Sequence, residues 1–189
     1  MRVALIVLLM VLAGIAGGLA FMYSGLADVA ATSEHWALTR WVLSTTMENA
    51  VRRNSEAIKP PGFLDEEARV RAGADDYHDM CAFCHGAPGV KPGVVARGLN
   101  PRPPKLAKTA GEWSPAELFW IIKHGVKMTG MPGFGPTHTD DELWETVAFV
   151  SKLPHLSAAE YRGMTSLEGE GEGGREPEHE HLHEHHHDH

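Results

Sequence analysis

Both cysteines of the chain fall within one pentapeptide, Cys81-Ala82-Phe83-Cys84-His85. Two thiols three positions apart at a helix end lie on one side. Each can add to a vinyl group of one porphyrin, and the adjacent imidazole can then meet the iron. The Cys-x-x-Cys-His spacing is the attachment signature for covalent haem c. Three other chemistries compete for such a pair. A dithiol redox centre needs a surrounding βαβ pattern, which the sequence lacks. A zinc site needs a second ligand pair at finger spacing, also lacking. A disulfide across two intervening residues is strained and gains little. Two cysteines also cannot staple a small secreted scaffold.

These three residues must be carried by helices. Upstream, Val70, Ala74, Tyr77 and Cys81 recur at helical spacing on one face. Downstream, Ser114-Pro115-Ala116-Glu117 is a capping box with proline at the first helical position. It predicts a helix to His124 that stops at Gly125. The stretch Lys127-Met128-Thr129-Gly130-Met131-Pro132-Gly133-Phe134-Gly135 has no helical period and reads as a loop of fixed shape. A second box, Thr139-Asp140-Asp141-Glu142, opens a helix through Leu143, Val147 and Val150 that ends before Pro154. Ser157-Ala158-Ala159-Glu160 starts a short final turn.

With these motifs in order, residues Asp65 to Tyr161 resemble a class I cytochrome c domain. Gly73-x-x-x-Tyr77-x-x-x-Cys81 is similar to that family's first helix. Pro103-Pro104-Lys105-Leu106 is similar to its proline–leucine segment, and Met131-Pro132 to its distal loop. The resemblance implies an all-α domain around one covalent haem. It implies His85 and Met131 as iron ligands, with Met128 the weaker rival. It implies a Pro104 carbonyl that accepts from His85, a second-layer contact that fixes the imidazole tautomer. It also implies Leu106 against the porphyrin and Phe149 meeting Gly73 and Tyr77 where the last helix crosses the first. Iron closed by imidazole and thioether moves electrons and offers no open position to a substrate. Electron transfer is therefore expected, rather than catalysis.

Val3 to Ala27 contains no charged residue. A bilayer core takes roughly 20 helical residues, and a cleaved signal has an apolar run of about 7–15. The expectation is one N-terminal transmembrane helix, with Val29-Ala30-Ala31 the alternative as a cleavage site. Arg2 precedes the run, and Asp28 and Glu34 follow it. Positive residues stay cytoplasmic, so the remainder is expected on the periplasmic side of a bacterial inner membrane. Residues 32–53 read as a helix with Trp36, Leu43, Met47, Ala50 and Val51 on one face and Leu38, Trp41 and Val42 on another. Lys59-Pro60-Pro61-Gly62 closes that segment. The expected organisation is an anchor at 1–27, a helical juxtamembrane segment at 28–64, the cytochrome domain at 65–163 and an acidic, His-rich tail at 164–189.

The formal charge of −8 is concentrated in the tail, where Leu167–His189 holds eight acids and one arginine. The near-neutral body excludes nucleic-acid binding by bulk positive charge. Between Cys81 and Pro136, Lys91, Arg97, Arg102, Lys105, Lys108, Lys123 and Lys127 face only Glu112 and Glu117. That excess suits redox proteins, or a membrane respiratory complex, with an acidic docking face. Seven histidines in the last eleven residues suit a divalent metal such as copper, nickel or zinc, so a metal-binding accessory role is the alternative function.

Overall fold

The computed structural model describes residues 1–165. The tail, with its expected metal-binding histidines, lies outside them. The first helix, α1 (Arg2–Tyr23), is apolar throughout and buries none of its residues. Its 22 residues would span about 33 Å. It is long and apolar enough to cross a membrane.

Helix α2 (Ala37–Ser55) begins later than the expected 32 and ends past 53. The delay has a local cause. Asp28 Oδ1 accepts from the Ala30 amide and Ser33 N–H turns back to the Ala30 carbonyl, so residues 28–33 form turns. Trp36 is extended at the helix boundary. The face of α2 also differs from the expected one. Val51 is fully buried and Met47 half-buried, while Trp36, Leu43 and Ala50 are exposed. Helix α2 meets α6 (Pro115–His124) with the face that carries Ser44, Met47, Glu48, Val51 and Ser55. Small and polar groups sit there alongside Met47 and Val51, the two members of the expected face that the contact does use. Arg52 and Glu117 approach to 4.0 Å at this contact.

Helix α3 (Glu67–Asp76) runs into a π-helical turn, Tyr77–Cys81, and then into α4 (Ala82–His85). A short 3-10 turn follows at Val95–Gly98. Helix α5 (Leu106–Thr109) is continued by a 3-10 turn at Ala110–Glu112. Both expected capping boxes are formed, Ser114 with Glu117 on α6 and Thr139 with Glu142 on α7 (Asp140–Lys152). Pro154 sits in a 3-10 turn just after α7. Ser157 caps a longer element than expected, α8 (Ala158–Met164), through a third box with Glu160. Among the described residues there are helices and turns but no strand.

The core lies where α3 and α7 cross. A Cβ on Gly73 would stand 1.9 Å from the Glu145 carbonyl oxygen, so only glycine permits this approach. The groups nearest that Cβ belong to the Glu145–Thr146 backbone of α7. Phe149 packs on Tyr77 as expected (centroids 5.3 Å), and on Tyr161 as well (6.1 Å). Arg69 bridges to Glu145 beside the crossing. On the other side of α7, Trp144 stacks on Phe119 of α6 at 4.1 Å. Tyr77, Leu143, Val147, Phe149, Leu153 and Tyr161 are all fully buried.

Candidate haem site

The Cys-x-x-Cys-His segment is held at both ends. Upstream, the π turn places Tyr77 so that its hydroxyl donates to the Gly86 carbonyl at 2.6 Å. Burial pushes the Tyr77 phenol well above its usual range, so it stays a neutral donor. Downstream, the Gly93 amide donates to the Phe83 carbonyl at 2.8 Å. Cys81 and Cys84 are separate thiols, each half-buried. Burial pushes the Cys81 thiol up to about 12, aided by the nearby Asp76 carboxyl.

His85 Nδ1 lies 2.8 Å from the Pro104 carbonyl. A carbonyl only accepts, so Nδ1 carries the proton and the lone pair is left on Nε2. Burial lowers the imidazole pKa, while the Pro104 contact works against that shift. The neutral ring, with one nitrogen tied down and the other basic, is the ligand form of histidine. Two residues on, Leu106 begins α5 and packs half-buried against the core.

The two methionines of the downstream loop differ in placement. Met131 packs against the same core that takes Cys81 and Leu106. Met128 is 81% exposed. The loop owes its position to the end of α6, whose last carbonyls have no partners within the helix. The Phe134 amide donates to the Ile122 carbonyl (3.1 Å) and the Gly135 amide to the Lys123 carbonyl (2.9 Å). Gly125, at φ +66°, lets the loop lie flat there: a Cβ would stand 2.5 Å from the Pro132 carbonyl carbon. Of the seven basic residues, six are exposed, and Lys123 is engaged by Asp140 at 2.6 Å.

Sequence reasoning missed several contacts of this site. The Tyr77–Gly86 bond, the π turn, and the approach of Tyr161 Oη to His78 Nδ1 (3.0 Å) depend on tertiary placement. Thr129, which bonds within the distal loop, carried a local signal in its place two residues before Met131.

The donor set fits a covalent haem: two separate thiols on one helix end, followed by an imidazole whose Nε2 is left for iron. The comparisons agree. Residues 68–150 match the family described as cytochrome c oxidase, cbb3-type, subunit III. Over 98 residues, 51% of the chain is 30% identical to quinohemoprotein alcohol dehydrogenase ADH-IIG of Pseudomonas putida. The match spans 12% of that relative's length. Motif, helical fold and the match over residues 68–150 together support a class I c-type cytochrome domain, one that carries covalent haem c through the Cys81–Cys84 pair.

Proposed function

We propose that this protein is a membrane-tethered, mono-haem electron carrier in which His85 and Met131 would hold the iron. The observation that carries this reading is the bond from His85 Nδ1 to the Pro104 carbonyl, which leaves Nε2 for the metal. The core-packed Met131 supports the second ligand, and the exposure of Met128 argues against the rival. Haem iron supplies the one-electron chemistry, while the chain supplies burial, orientation and ligand choice. A thioether opposite imidazole favours the ferrous state and raises the potential relative to two imidazoles. Leu106 is half-buried on the same core and would cover the porphyrin. In the oxidised full-length protein a sulfur-to-iron charge-transfer band is expected. Met131→Ala abolishes it and Met128→Ala leaves it intact. A wild-type protein without the band would end the Met131 assignment.

Helix α1 anchors the chain in the bacterial inner membrane, with the haem domain on the periplasmic side. Its length and apolar character, and the charges flanking it, support this placement. The anchor corresponds to residues 1–27, the juxtamembrane segment to 28–64 and the haem domain to 65–163. The partners are other redox proteins or a respiratory complex. Exposed Lys91, Arg97, Arg102, Lys105, Lys108 and Lys127 suit a partner with an acidic face. Lys123 contributes less, being engaged by Asp140. Electron exchange with the partner is then expected to slow as salt is raised. Rates that ignore salt would remove electrostatic steering from the account.

A further inference from the structure

The distal loop contains an internal clasp. The Thr129 hydroxyl donates to the Val126 carbonyl at 2.7 Å. The same oxygen accepts from the Met131 amide at 3.1 Å. The chain then closes on itself, because the Val126 amide donates to the Met131 carbonyl at 3.3 Å. Both backbone polar groups of Met131 are thereby fixed, one by the Thr129 side chain and one by Val126. Val126 directly follows Gly125, where the loop seats on the end of α6.

The clasp encloses an unfavourable backbone. Met128 has φ +61°, and it is the one non-glycine residue with positive φ among those described. A left-handed methionine is disfavoured, and such residues persist where surrounding contacts over-determine them. Its side chain is exposed and gives little packing in return. The bonds of Thr129 on either side of Met128 are what hold the turn in this shape.

We propose that Thr129 is a positioning residue for the distal ligand. Its hydroxyl, bridging the Val126 carbonyl and the Met131 amide, holds Met131 at the length and direction needed to stay on the iron. The proposal rests on Met131 being that ligand. The feature needed is a single oxygen that donates once and accepts once. Serine supplies both bonds. Valine keeps the shape of threonine but loses both, leaving a carbonyl and an amide unpaired.

The test uses the full-length holoprotein in detergent, with two readouts. One is hydrogen exchange at the Met131 amide, which requires no assumption about the iron. The other is the affinity of the oxidised protein for added imidazole, which competes with the distal ligand. In Thr129→Val, exchange is expected to quicken about tenfold and imidazole to bind about tenfold more tightly, the scale set by losing one such bridge. Thr129→Ser should restore wild-type values in both. Met128→Gly relieves the positive φ without removing either bond and should keep both values.

Wild-type behaviour of Thr129→Val in either readout overturns the proposal. So does a Thr129→Ser variant as impaired as the valine, which would make the methyl group the cause. A Met128→Gly variant that behaves like Thr129→Val overturns it too, by assigning the effect to any disturbance of the loop. Failure of the underlying assignment looks different: Met131→Ala would retain the sulfur-to-iron band.

Discussion

Gly73 illustrates what a single residue does in this fold. Its missing Cβ is what lets α3 and α7 touch backbone to backbone, with Glu145 as the opposing group. Gly73→Ala places a methyl inside the van der Waals radius of a carbonyl that α7 cannot move without shifting Phe149 and Val150. A loss of about 1–3 kcal/mol or more is expected in denaturant unfolding of the holoprotein. An unchanged midpoint would mean that the crossing is looser than the structure has it. The resemblance of Gly73-x-x-x-Tyr77-x-x-x-Cys81 to the first helix of class I cytochromes c made the crossing glycine legible in sequence. The residue it meets was not legible. Which turn of α7 lies over Gly73 depends on how Tyr77, Phe149 and Tyr161 share the buried space, and three aromatic rings can nest in more than one order.

At the scale of elements, local signals carried most of the pattern and tertiary ones the remainder. The boxes at Ser114 and Thr139 were readable because a cap and its partner lie three residues apart. The face of α2 was readable only in part, because its contact with α6 uses serines and a glutamate beside Met47 and Val51. The π turn at Tyr77–Cys81 escaped for a related reason: one extra residue in the helical ladder leaves no mark in composition.

The caps also give α7 a pH dependence. Backbone and side-chain hydrogen bonds from Thr139 hold the Glu142 carboxylate below its ordinary range. A carboxylate lowered by folding contributes stability that is present above its unfolded pKa and lost as pH falls through the folded value. The Glu142 contribution should therefore fade as pH drops below the usual glutamate range, near 4. Glu142→Gln keeps a box-forming side chain without the charge. Its unfolding midpoint should fall less steeply between pH 5 and 3 than that of the wild type, measured with Glu160 unchanged in both. Equal slopes would show that this cap is not coupled to the proton.

The whole molecule turns on how α1 is joined to the haem domain. If α2 were free, residues 24–66 would form one long leash. Instead Val51 is buried as α2 meets α6, Arg52 approaches Glu117, and the Asn100 amide side chain grips the Ser33 carbonyl at 2.7 Å. Only residues 24–36 remain between α1 and docked structure, and one of their carbonyls is already held. With α1 in a membrane, as proposed, a leash about three times shorter would raise the effective concentration of the haem domain there by about sixfold, since that quantity falls roughly as the −3/2 power of length. Val51 lies outside the aromatic core of α3, α6 and α7, so its contact can be broken with the haem domain left folded. Val51→Asp puts a charge where a fully buried methyl pair sits and should release α2. Electron exchange with a membrane-bound partner should then slow several-fold, while exchange with a small soluble mediator stays at the wild-type rate. If both rates fall together, Val51 supports the haem domain itself. If neither changes, the length of the tether does not limit the encounter.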